Sequence, residues 1–187
     1  MNKSRIINLF GGPSAGKSSI AAGLLHALKK RHISCDAPYE FPKLLAWDNN
    51  NEAIKDQLYV ISNQHRGIVK SFNKVKYIIV DSPILLSLVY KDYYVKGPNE
   101  YPSCLYGKEF DDMILSVHKY YDNLNIVLVR SENEDHNNSE RYHNLEQSID
   151  IDKRIRHMLE SNDVPYVEIS VDNDPVGEIL KLINVQK

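Results

Sequence analysis

Gly11-Gly12-Pro13-Ser14-Ala15-Gly16-Lys17-Ser18 is the stretch on which the reading of this chain turns. It fits G-x-x-x-x-G-K-[ST], the phosphate-binding P-loop. Its flanks agree with the motif. Arg5-Ile6-Ile7-Asn8-Leu9-Phe10 in front reads as a short buried strand, and behind it Ser19 to Arg31 sets Ile20, Leu24, Ala27 and Leu28 on one helical stripe. Gly11 and Gly16 permit backbone angles and close approaches that a Cβ would block. The amides freed in this way, together with the positive end of the helix, face a polyphosphate. Gly11, Gly12, Pro13, Ser14, Ala15, Gly16, Lys17, Ser18 and Ser19 are therefore expected to cradle ATP. Lys17 would reach the β- and γ-phosphates and the Ser18 hydroxyl would ligate Mg²⁺. The plain alternative, a glycine-rich turn that only caps a helix, does not account for a full motif set between a strand and a helix.

At 187 residues the chain is expected to form one domain, 1–187, with a single core. Hydrophobic content of 42% and charged content of 26% are ordinary for a globular protein. A net charge of −2 provides no global field to attract nucleic acid or anionic lipid. Cys35 and Cys104 lack the spacing of a metal site or redox pair, which fits free thiols in a reducing cytoplasm. The first strand begins almost at the N-terminus, so no leader peptide is expected. No apolar run approaches the ~18–20 residues that span a bilayer. The expectation is a cytoplasmic protein without a membrane partner, with monomer and homodimer both open.

Taken in order, the rest of the chain alternates strands and helices. Ile33 to Pro38 suggests a second strand, and prolines 38 and 42 argue against a long helix after it. Asp48-Asn49-Asn50-Asn51 makes a polar turn before a helix over Glu52–Phe72, with Ile54, Leu58, Ile61, His65, Ile68 and Phe72 on one stripe. His65 there reads as a packed core residue rather than a ligand. Lys76 to Pro83 gives a buried parallel strand ending in Asp81, and Leu85 to Val89 starts a short helix. The stretch 90–107, rich in Tyr, Pro and Gly, reads as an irregular insertion. Phe110, Met113, Ile114, Val117 and Tyr121 mark a helix, and Asn125 to Arg130 a fourth strand. The polar stretch 131–144 reads as a mobile lid. Leu145, Ile149, Ile155 and Leu159 suggest the next helix, Val164 to Ile169 the fifth strand, and a last helix opens near Asp174-Pro175. Five strands alternating with helices imply a three-layer α/β fold around a parallel sheet. The order 2-3-1-4-5 is taken by analogy with P-loop kinases.

Three further features bear on chemistry. Asp81, at the carboxyl end of a strand, is expected to hold Mg²⁺ opposite Ser18, although an aspartate there can also cap a helix. Arg130 ends a strand and Arg141 lies within the 131–144 stretch, where a lid could bring both to the transferring phosphoryl group. Glu40, in Tyr39-Glu40-Phe41-Pro42-Lys43, stands just past the second strand, where a carboxylate can take a proton from an acceptor hydroxyl. Lys43 beside it and Arg66 on the following helix are candidate holders of an anionic acceptor. Each of these charges can equally be a solvated surface group.

The whole chain resembles a family of small P-loop proteins frequent in bacteriophage genomes and related to the ATP-binding domain of nicotinamide riboside kinases. The resemblance is carried by the P-loop, Glu40-Phe41-Pro42-Lys43-Leu44-Leu45-Ala46-Trp47, Asp56-Gln57-Leu58-Tyr59, Asp81-Ser82-Pro83-Ile84-Leu85-Leu86, and Arg141 followed by Ile149-Asp150. It implies a kinase-like fold, Mg-ATP, and phosphorylation of a nucleoside, nucleotide or nucleotide-like hydroxyl. Relatives often carry a glycine before the lid arginine, where this chain has Glu140. Some related phage kinases phosphorylate 5-hydroxymethyluracil in DNA, so DNA stands as an alternative acceptor. It would need a basic, aromatic path, for which Lys91, Lys96 and Lys108 among the tyrosines are the candidates. Tyr90, Tyr93, Tyr94, Tyr101 and Tyr106 could instead form a wall that stacks on the acceptor's base, or simply pack on themselves. A rival of another class is a nucleotide-dependent switch that hydrolyses ATP to regulate a partner. Dependence on an added acceptor separates it from a kinase.

Overall fold

The computed structural model describes residues 3–94, 107–131 and 145–185. The strands are β1 (Arg5–Phe10), β2 (Cys35–Asp36), β3 (Tyr77–Val80), β4 (Asp122–Val129) and β5 (Val167–Ser170). All neighbours pair in parallel, in the order β2-β3-β1-β4-β5. This is the expected kinase-like order, with β1 in the middle.

Alternation along β1 divides the core. Ile7 and Leu9 face one side, under α1 (Lys17–Lys30) and α8 (Pro175–Leu182), with Leu24, Leu28 and Ile179 fully buried against them. Ile6 and Phe10 face the other side and meet α4 (Gln57–Ser71), α5 (Leu86–Tyr94), α6 (Lys108–Tyr120) and α7 (Leu145–Ser161). Each fully buried side chain of this size is worth about 1.5–3 kcal/mol. Helices on both faces of a parallel sheet complete the three layers. Among the described residues no helix is long and apolar enough to cross a membrane.

A polar ladder crosses the second of these layers. Asn8 Nδ2 donates to Asn123 Oδ1 and Asn125 Oδ1, both at 3.0 Å, and Asn8 lies opposite Asn125 in the β1–β4 register. Asn125 donates onward to the Pro165 carbonyl, and Asn123 to those of His118 and Tyr121. A one-residue slip of β4 would turn these amides to the opposite face and leave them unpaired. The ladder therefore fixes the register of the two central strands.

Several elements depart from the sequence reading, each for a visible reason. The second strand shrinks to two residues, since Pro38 cannot join a ladder. The chain after it turns into a short helix, α2 (Phe41–Trp47), with proline in its first turn. The helix expected over Glu52–Phe72 breaks at Asp56 into α3 (Asn51–Lys55) and α4, because the Asp56 side chain caps α4 by accepting from Tyr59 N–H. Leu58 is exposed, and Gln57, Gln64 and Ser71 are buried in its place. His65 is half-buried and bonded to the Tyr121 hydroxyl at 2.8 Å. The stretch expected to be irregular from Tyr90 is helical through Tyr94, where α5 ends, and its remainder to 106 lies outside the described residues. Tyr90 packs on the core and Lys91, nearly buried, pairs with Asp111 of α6. Met113 is exposed while His118 is buried in α6. On α7, Leu145 and Ile149 face solvent, and the buried face runs through Ser148, Ile151, Asp152, Ile155 and Leu159.

Burial pushes the His118 imidazole down to about 4 from 6.5. The folded state holds it neutral while the unfolded chain protonates it near 6.5, so its contribution is complete above that pH. Stability is predicted to fall as pH drops from about 6.5 to about 4, and His118→Gln is predicted to flatten that fall. Thermal midpoints of both proteins across this range give the test. Parallel curves would show that His118 does not couple folding to pH.

Candidate active site

The phosphate loop begins where β1 ends at the buried Phe10. A Cβ on Gly11, whose φ is +157°, would stand 2.7 Å from the Ala15 Cβ, so the loop closes only on glycine there. Gly16, at φ +76°, turns the chain into α1 without any side-chain cap. The first-turn amides of α1 have no intrahelical acceptor and lie open to an anion at the positive end of the helix. Lys17 Nζ donates to the Gly11 and Gly12 carbonyls at 2.8 Å each, which puts the ammonium over the loop. Burial lowers the pKa of Lys17 most strongly. Glu40, Asp81 and Asp152 raise it, and Arg130 lowers it.

Glu40 precedes α2 but does not cap it with its side chain. It accepts a hydrogen bond from Ser18 and lies within the electrostatic reach of Asp81, Lys17 and Lys43. Burial raises its pKa first, Asp81 adds to the rise, and the two lysines and Ser18 oppose it. Asp81 follows directly on β3, so the sheet brings both carboxylates to the mouth of the loop. Ser18 and Asp81, the expected ligands, offer only oxygen, the donor set of a hard cation such as Mg²⁺. These residues fit the ion expected from the sequence.

Arg130, just beyond β4, lies behind the loop. Its Nε donates to Asp152 Oδ2 at 2.5 Å and its Nη2 to the Pro13 carbonyl at 2.5 Å. Asp152 was not singled out in the sequence, where it reads as one more polar residue of α7. Its position one turn from Ser148 and beside Ile151 and Ile155 is the only local signal that it faces inward. Ser18 and Ser19 are exposed at the loop, and Arg66 is exposed on α4. Lys43 is also exposed, its Nζ 5.0 Å from the Trp47 ring centre. Arg141, most of the expected lid, Tyr101, Tyr106 and Lys96 lie outside the described residues. Near Glu40 the aromatic surface is a different one. Tyr39 is 87% exposed, and Phe41 meets Tyr59 edge-on at 5.2 Å.

Residues 6–174 match the sequence model of a family described as "AAA domain". No curated protein matches the chain in sequence. A NadR protein solved in complex with NR superposes with a TM-score of 0.71 at 13% identity, over 98% of this chain and 52% of its own. This chain thus spans about half the length of that protein. A thymidylate kinase from Ehrlichia chaffeensis gives 0.60 at 15% identity over 100% of both chains. A deoxyadenosine kinase from M. mycoides with bound dATP gives 0.62 at 18% identity, over 96% of this chain and 99% of that one. At such identities the likeness is one of fold.

Lys17→Ala removes a cation from the loop and leaves every backbone amide in place. Nucleotide affinity and any turnover are predicted to fall by orders of magnitude. The melting curve without nucleotide should change little, because among the described residues the hydrogen bonds of the Lys17 ammonium go to two loop carbonyls and none to the core. Titration with a fluorescent ATP analogue reads the first effect, and wild-type affinity in the variant would remove Lys17 from the site.

Proposed function

The chain belongs to the AAA domain family matched over residues 6–174, and on that premise we propose that it is a phosphotransferase. It would move the γ-phosphoryl group of ATP to a hydroxyl or phosphate of a nucleoside, nucleotide or nucleotide-like acceptor. The observation that supports this reading best is Glu40, a carboxylate facing Ser18, Lys17 and Asp81 without capping its own helix. A switch that hydrolyses ATP would use such a carboxylate to orient water, and a kinase to orient an acceptor hydroxyl, so dependence on an added acceptor separates the two readings.

In this reading the loop amides and Lys17 bind the phosphates, and Ser18 and Asp81 hold magnesium. The ion would neutralise charge on the phosphate oxygens. Glu40 orients the acceptor hydroxyl and takes its proton as the oxygen attacks the γ-phosphorus. The bond from that phosphorus to the β–γ bridging oxygen breaks, and ADP leaves with the electron pair. A raised carboxyl pKa suits a group that must accept a proton near neutral pH. Tyr39, Phe41 and Tyr59 offer a flat apolar surface beside Glu40 for an aromatic base, with Lys43 and Arg66 as the nearby cations. Arg141 is assigned the charge of the transferring phosphoryl group, on a lid over 131–144. The likeness in fold to thymidylate and deoxyadenosine kinases agrees with a small acceptor. DNA is less suited. Lys91, nearly buried, is drawn onto Asp111 and does not offer its charge to a strand, while Lys108 stays exposed beside Asp112.

The test joins labelled ATP to a panel of nucleosides, nucleotides and modified DNA, with and without Glu40→Gln. The variant is predicted to keep nucleotide affinity and lose acceptor phosphorylation by about 10²-fold or more, the usual scale for a general base. Slow hydrolysis that no acceptor accelerates would establish the switch instead. Intact transfer by Glu40→Gln would move the base elsewhere.

A further inference from the structure

The P-loop pattern leaves its second position open, yet Gly12 stands there, and the reason lies behind the loop. A Cβ on Gly12 would come 2.7 Å from the Ser148 carbonyl oxygen and 3.1 Å from both Arg130 Nη2 and Asp152 Oδ1. The α7 backbone and an ion pair thus press directly on this residue. Gly12 N–H donates to Asp152 Oδ1 at 2.5 Å, the other oxygen of Asp152 takes Arg130 Nε, and Arg130 Nη2 reaches the Pro13 carbonyl. Both charged side chains are only 10% exposed.

We propose that Arg130 and Asp152 act as one positioning pair that sets the orientation of the phosphate loop, neither of them contacting the reacting atoms. The pair grips the amide of residue 12 and the carbonyl of residue 13, one peptide unit on each side of the Gly12–Pro13 link. With both held, and Ala15 N–H bonded back to the Gly12 carbonyl at 3.3 Å, the peptide planes that follow are restrained and the amides from Gly16 onward stay aimed at the concave side. An anion cradle works to the extent that its dipoles are set before the anion arrives. The grip comes from either side of residues 131–144, so the end of β4 and the middle of α7 are both tied to the nucleotide's binding surface. This assigns Arg130 a part different from that of a lid arginine, and it rests on the nucleotide reading above.

The test uses the full chain with Asp152→Asn, Asp152→Ala, Arg130→Ala and the double alanine variant. Asn keeps the shape and one acceptor oxygen but loses the charge opposite Arg130, which guards against a variant that fails to fold. Each single alanine variant is expected to raise KM for ATP and the dissociation constant of a fluorescent ATP analogue by roughly tenfold or more, with Asp152→Asn between them and wild type. KM for the acceptor is expected to stay within about twofold. The double variant is expected to be no worse than the worse single one, since the two groups form a unit. Amide hydrogen exchange at residues 11–16 is expected to quicken without nucleotide. A lower melting temperature with unchanged nucleotide binding and unchanged exchange in the loop would overturn the proposal, reducing the pair to a structural ion pair. Wild-type protein that binds no Mg-ATP would defeat the nucleotide reading, while the exchange measurement, which needs no ligand, would still decide whether the pair orders the loop.

Discussion

Backbone N–H groups meant for an anion cannot also be used to hold the fold together. That constraint governs this molecule. A segment that keeps its amides for phosphate has no ladder or helix of its own to fix it, so its shape must come from the surroundings. Here those surroundings are the buried end of β1, the contact of Gly11 with Ala15, and the ion pair behind Gly12. Central placement of β1 between β3 and β4 gives the loop neighbours on both sides, and the Asn8–Asn125 ladder keeps one of those neighbours in register. A buried pair of charges is costly to desolvate, and removing one partner typically costs about 3–5 kcal/mol. The Arg130–Asp152 pair offsets that cost with hydrogen bonds to a backbone amide and a backbone carbonyl.

Charge at the mouth of the loop follows the same logic. Burial presses Lys17 and Glu40 in opposite directions on the pH scale, each toward its neutral form, while their mutual attraction resists. A polyphosphate would strengthen the charged form of the lysine, and a cation that of the carboxylates. Nucleotide and ion are therefore expected to support one another at this site, each relieving an electrostatic cost that the other leaves.

What the sequence disclosed and what it hid divide along the line between local and distant causes. The P-loop and the five strands follow from a motif and from apolar runs, and these are local, whereas the strand order rests on analogy with P-loop kinases. Asp81 and Glu40 could be named because strand ends on a parallel sheet converge at one edge. The buried faces of α4, α6 and α7 could not be read in full. Gln57, Gln64, Ser71, His118, Ser148 and Asp152 are all buried polar residues. For several the reason is a partner far along the chain: Ser82 for Gln64, Asp36 for Ser71, Gly12 and Arg130 for Asp152. Hydrophobic periodicity scores such positions as solvent-facing. The break at Asp56 is the opposite case, a capping signal present in the letters but outweighed by a continuous apolar stripe.

The bond from Gly12 to Asp152 also orders events in time. It joins residues 140 apart, so a ribosome must add that length of chain after Gly12 before the loop's support exists. At about 5–20 residues per second this takes roughly 7–30 seconds. Until α7 emerges, the nascent protein carries the complete nucleotide-binding motif without the structure that shapes it. A loop of settled shape therefore arrives only once α7 is made, although the loop's own residues are made well before it.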